Sequence, residues 1–197
     1  MAIIGLQSTT TRVSDRRHKS LISKQSFPLK KGIKVKALVP GSIYSDLERE
    51  GVLKENIYKE YNDINYRWVS YDNWTYEREF EGKTYTFNQF YIQVLTLSVT
   101  DKLLSKQRVE LVAHGLDTVS TVSINGHIVG KTDNQFIRYK FDVKKVLKIG
   151  KNSITVAFES AVTYGKQKSE EYQRQYGYPV PPGIDQTVNS FKLIIIF

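Results

Sequence analysis

Apolar and polar residues alternate with a period of two through much of the second half of the chain. Val109, Leu111 and Ala113 alternate with Arg108, Glu110 and Val112, and Ile137, Tyr139 and Phe141 with Arg138 and Lys140. Ile154, Val156 and Phe158 do the same against Thr155 and Glu159. A period of two sends successive side chains to opposite faces of a strand, so these runs predict half-buried antiparallel strands. Upstream, Tyr76 and Phe80 against Glu77 and Glu79 predict another strand with one face inward. Asn125-Gly126 supplies the positive φ angles that a tight hairpin turn demands. Asp142 to Leu147, closed by Gly150, predicts a helical turn between two strands. Ser42 is a fair N-cap for a short helix from Ile43 through Glu50, stopped by Gly51. Ile43 and Leu47 share its inner face, and Asp46, Glu48 and Glu50 are expected to stay in water. Asn62-Asp63-Ile64-Asn65 is turn chemistry. Many short strands, tight turns and one or two short helices predict an all-β fold, an antiparallel β-sandwich of jelly-roll type.

Two segments break the pattern. Gly82 to Ser98 is almost uncharged and rich in β-branched and aromatic residues, which predicts aggregation unless it is paired as a strand. The chain ends in the bare apolar run Leu193-Ile194-Ile195-Ile196-Phe197, with no alternation to hide one face.

A chain of 197 residues with 40% hydrophobic content builds one solid core, so one domain is expected. The formal charge of +9 is concentrated at the start: residues 1–36 carry nine Lys and Arg against Asp15 alone. That division predicts a basic, poorly ordered leader over 1–36 and a sandwich over 37–165, with 82–98 as an insert. An extension over 166–197 follows. The body has no basic stripe, so nucleic acid is not an expected partner. No apolar run approaches the ~20 residues of a membrane span. Met1 to Ser20 also lacks the ~7–15 residue apolar core of a secretory signal.

Candidate chemistry is sparse. The chain has no cysteine, which excludes disulfides and thiolate metal sites. His18, His114 and His127 are too scattered for a metal centre, and no cofactor is expected. Asp133 and Asn134 with Glu159 have calcium-ligand chemistry, although a turn role is simpler. Trp68 and Trp74, with Tyr66, Tyr71 and Tyr76, form an aromatic cluster able to stack on sugar rings, and Asp72 is placed to hold a sugar hydroxyl. Core packing and turn capping are the competing roles, and the favoured ones. Asn73-Trp74-Thr75 is the single glycosylation sequon, usable only if the chain is exported.

An ordered series of stretches then carries a resemblance. It runs through Val39-Pro40-Gly41-Ser42-Ile43-Tyr44-Ser45-Asp46-Leu47, Asn62-Asp63 and Tyr66 to Tyr76. It continues through Gly115-Leu116-Asp117-Thr118-Val119, Asn125-Gly126, Val129 to Asn134, Tyr139 to Val143 and Tyr178-Pro179-Val180-Pro181-Pro182. Over roughly 38–81 and 99–182 the chain resembles the N-terminal part of animal-type β-mannosidases, glycoside hydrolases related to β-galactosidases and β-glucuronidases. The resemblance implies a galactose-binding-like sandwich, a β-mannoside glycan as substrate of the full-length enzymes, and a lysosomal address. It also implies retaining hydrolysis by two glutamates on a (β/α)8 barrel, which alone needs ~250 residues. No position here receives either glutamate, so no catalytic residue is assigned. A fragment that is inactive by itself is expected, with a free-standing carbohydrate-binding or protein-interaction module as the alternative. Gly82–Ser98 and Gly183–Phe197 depart from the family, and the latter stands where a Trp-Asp-Trp-Gly segment is expected. Both are expected to be non-native inserts, such as translated intron, since removing the first joins Glu81 to Val99 in register.

Overall fold

A computed structural model describes residues 2–4, 10–15, 33–80, 99, 101–178 and 194–196. The chain opens with β1 (Ala2–Ile4), β2 (Thr10–Asp15), β3 (Lys34–Ala37) and β4 (Gly41–Ser42). Three short helices follow, α1 (Ile43–Arg49), α2 (Asn62–Asn65) and α3 (Trp68–Tyr71), and then the long strand β5 (Asn73–Phe80). After α4 (Asp101–Leu104) come β6 (Val109–Ala113), β7 (Gly115–Leu116), β8 (Ser120–Ile124), β9 (His127–Thr132), β10 (Tyr139–Asp142) and β11 (Asn152–Phe158). Helix α5 (Ala161–Tyr176) and strand β12 (Ile194–Ile196) complete the order.

A six-stranded sheet in the order β3-β2-β5-β11-β8-β9 is antiparallel throughout. It shares one core with a smaller sheet, β1-β6-β10, in which β1 runs parallel to β6. Tyr76, Phe80, Val122, Ile124, Ile154, Val156 and Phe158 come from the large sheet, and Val109, Leu111, Ala113 and Phe141 from the small one. The predicted antiparallel β-sandwich is therefore the observed architecture. A second cluster, Val35, Ile43, Tyr44, Leu47, Leu53, Val69 and Trp74, seals α1 and α3 against one end of the large sheet.

The local reasons are those the alternation carries. β11 buries every second residue, and Asn125 and Gly126 take φ of 52° and 80° in the hairpin between β8 and β9. Asn125 does more than turn the chain: its amide donates to the Val146 carbonyl and to Asn152 Oδ1, both at 2.8 Å, and its Oδ1 accepts from the Ser153 amide at 3.0 Å. The hairpin is thereby fastened to the turn before β11. The pairing of β8 with β9 shifts register between Val122 and Ser123, and in β9 a Cβ on Gly130 would collide with the Phe141 ring. Glycine lets β10 close over the strand there.

Two details, Asp46 and β6, differ from expectation. Asp46 is fully buried in α1: Oδ1 accepts from the Leu38 amide at 3.0 Å and pairs with Arg49 at 2.6 Å. A carboxylate enters the interior when a cation and an amide meet it, so Asp46 does not stay in water. β6 is buried at every position rather than half-buried, and its inward acid, Glu110, pairs with Arg108 at 2.7 Å. The basic leader supplies β1, β2 and most of β3 as paired strands, giving the edges of β6 and β5 backbone partners. The apolar terminal run places β12 antiparallel between β4 and β7.

Gly82–Ser98 lies outside the described residues, as does Gly183–Phe197 apart from β12. Phe80 pairs with Asn152, and Val99 bridges Gly150 in the same antiparallel sense. Gly150 is two residues before Asn152, so Val99 stands at the ladder position two beyond Phe80. Val99 is buried in the main core beside Phe80.

Candidate functional site

The residues singled out for sugar contact meet at one corner, where α3, β5 and the start of α5 join. Trp68 opens α3 and Trp74 is the second residue of β5; their rings lie 6.3 Å apart, tilted by 45°. Trp74 has no exposed surface, and its indole N–H donates to the Val69 carbonyl at 2.8 Å. The Trp74 ring packs within the second core cluster and has no open face. Trp68 is half-buried and packs on the same cluster. Asp72 is half-buried at the turn between α3 and β5.

Hydrogen bonds make this corner a joint. Asn73 Oδ1 accepts from the Ser160 amide at 2.8 Å. Ser160, itself buried, donates its hydroxyl to the Ser70 carbonyl at 2.7 Å and accepts from the Thr163 amide at 3.1 Å, capping α5. The sequon asparagine is thus a link between β5 and α5. The Tyr44 phenol, hydrogen-bonded to Ser70, lies beneath. Burial pushes it up to about 12, against the opposing pull of Ser70 and the Arg67 charge.

The stretch from Gly115 to Asn134 forms the second constellation. Thr118 Oγ1 donates to Asp117 Oδ1, and the Gln135 amide, with its nitrogen toward the carboxylate, donates to both Asp117 oxygens at 3.2 and 3.0 Å. Tyr139 Oη accepts from the amides of Asp133 and Asn134, and Asn134 Oδ1 caps the Phe136 amide. Thr132 Oγ1 donates to the Thr118 carbonyl at 2.9 Å. Asp133 and Asn134 are thereby turn residues. Three carboxylates are buried among the described residues: Asp46 with Arg49, Glu110 with Arg108 and Asp117 with Gln135. They lie on separate elements, each against its own partner.

The polar motifs of this antiparallel sandwich brace its own loops. The chain belongs to the glycosyl hydrolase 2 galactose-binding domain-like family, whose model matches residues 19–192. Its relatives are β-mannosidases. It is 38% identical to the rat β-mannosidase over 150 residues, 76% of this chain and 14% of that protein. It is 35% identical to the Bos taurus β-mannosidase over 165 residues, 84% of this chain and 16% of that protein. The β-D-mannosidase structure from Dictyoglomus thermophilum shares the fold, with a TM-score of 0.64 at 23% identity, covering 86% of this chain and 17% of that one. The chain is thus β-mannosidase-like and spans about one-seventh of the length of the relatives it matches. Among the described residues no helix is long and apolar enough to cross a membrane.

Sequence reasoning missed α5 and the Asp117–Gln135 contact. α5 had a signal: Ser160 caps it, and Gly177, at φ 71°, ends it in the left-handed conformation. Its residues carry no apolar stripe, which hid it from a search for periodicity. The Asp117–Gln135 contact joins separate loops and left no local trace.

Proposed function

We propose that this chain is the non-catalytic N-terminal sandwich of a β-mannosidase-like glycoside hydrolase, whose substrate is a glycan ending in β-linked mannose. The family match over 19–192 carries the reading, together with a share of only 14–16% of the mammalian relatives. In a retaining glycosidase two carboxylates stand about 5–5.5 Å apart across the scissile bond. The buried acids here are instead spent one by one on an arginine or an amide. The corner at Trp68, Asp72 and Trp74 acts as a mechanical joint rather than a sugar platform, since the Trp74 indole faces Val69 and the Asn73 side chain holds Ser160. The purified chain is expected to give no turnover of a chromogenic β-mannoside. Release of chromophore that scales with chain concentration and survives repurification would refute the reading.

A further inference from the structure

In the third sheet, ordered β4-β12-β7, the outer strands pair with β12 and not with each other. Ile194 pairs with Ser42 and Ile195 with Gly41 on one side. On the other, Ile195 pairs with Leu116 and Ile196 with Gly115, and both ladders are antiparallel. The two outer strands are rails held by the rest of the molecule. Leu116 has no exposed surface and belongs to the main core, and Ile43, next after β4, is sealed in the second cluster. Ser42 also caps α1, its Oγ accepting from the Ser45 amide at 3.2 Å. The rails present glycine opposite Ile195 on β4 and opposite Ile196 on β7, so an occupant meets no side chain across the ladder there. Such positions leave room for bulky β-branched residues. A segment laid between two fixed edges gives backbone partners to both, which is recognition by strand addition.

We propose that the gap between β4 and β7 is a binding site for an extended peptide of β-branched apolar residues, with Ile194–Ile196 as its resident, displaceable occupant. Two residue pairs hold β12 on each side, against the seven that join β5 to β11. A ladder so short belongs to the part of a fold that opens at low cost in free energy. Rails and occupant are also separable in sequence: Gly41–Ser42 and Gly115–Leu116 lie within the family match over 19–192, and Ile194–Ile196 lies beyond it. Ile195 is the residue paired on both sides, so its backbone is central to the recognition. A competing peptide needs an extended backbone at that position and cannot carry proline there. Tethering gives the chain's own strand a high effective concentration, which keeps the site closed to free peptide until that strand withdraws.

Hydrogen exchange on the full chain, with a synthetic peptide of the sequence Asn189–Phe197 as probe, tests the site. In the unaltered chain the amides of Ile194–Ile196 are expected to be protected and the peptide to bind poorly. Ile195→Pro, made in the full chain, removes the N–H of the residue paired on both sides. This variant is expected to keep its protection over β5 and β11, to lose it over β4 and β7, and to bind the peptide at least roughly tenfold more tightly than the unaltered chain. Bound peptide restores the protection of β4 and β7, and the same peptide with proline at the Ile195 position does not bind. Fast exchange over Ile194–Ile196 in the unaltered chain overturns the proposal, whatever the variant does. So does a variant that binds no peptide, and so does binding that is equal in the two chains or indifferent to the proline. Loss of protection over β5 and β11 in the variant shows β12 to be an inseparable part of the sandwich, and that too overturns a displaceable occupant.

Discussion

Burial of Tyr44 has a consequence for stability at high pH. Its phenol titrates near 12 in the fold against 10 in the unfolded chain, because the charged form would be stripped of water. Between those values the folded state keeps a proton that the unfolded state has lost. The contribution is therefore complete below pH 10 and is lost as pH rises through 12, about 2–3 kcal/mol in all. Tyr44→Phe removes the titration, so its unfolding free energy should fall less steeply between pH 10 and 12 than that of the unaltered chain. Urea titrations at half-unit pH steps measure this, and parallel slopes would exclude Tyr44 as the source. Asp46 is the contrasting case, an acid held in the interior by partners: a position that reads as a solvated helix face is buried because Arg49 and the Leu38 amide meet it.

At the level of elements, the ladder between β5 and β11 bears on Gly82–Ser98. Val99 faces Gly150 at the position that continues β5 after Phe80 and Glu81. We propose that the intervening seventeen residues are an insertion into one strand. Deleting 82–98 joins Glu81 to Val99 at the existing register and shortens the excursion whose closure costs entropy. The deletion variant is expected to melt at the same temperature as the full chain or a few degrees higher, with less aggregation on heating. A loss of cooperative unfolding would show that the segment belongs to the sandwich. The strands whose alternation is plainest, β5 and β11, are also those the ladder joins over seven residue pairs, from Phe80↔Asn152 to Trp74↔Phe158.

For the whole molecule, the joint at α3, β5 and α5 separates a sugar-binding module from a supporting one. If the corner is a joint, mannose or mannobiose finds Trp74 already sealed and Trp68 packed on the same cluster. Tryptophan emission should then stay flat through millimolar sugar. A saturable shift that Trp68→Phe removes would restore the carbohydrate-binding alternative.

Much of this was written locally. Alternation fixed which faces of β5 and β11 turn inward, Asn125-Gly126 fixed a hairpin, and Ser42 and Gly51 bracketed α1, because each depends on the backbone preferences of neighbouring residues. The ordered motifs pointed to the family for the same reason: they encode turns and strand faces in sequence order. Only the tertiary structure decided that Asp46, Glu110 and Trp74 are interior, and that Ala2–Ile4 and Thr10–Asp15 pair with the sheets. Those outcomes depend on which distant groups arrive to satisfy a charge, cover a ring or meet a strand edge, and no local pattern specifies such arrivals.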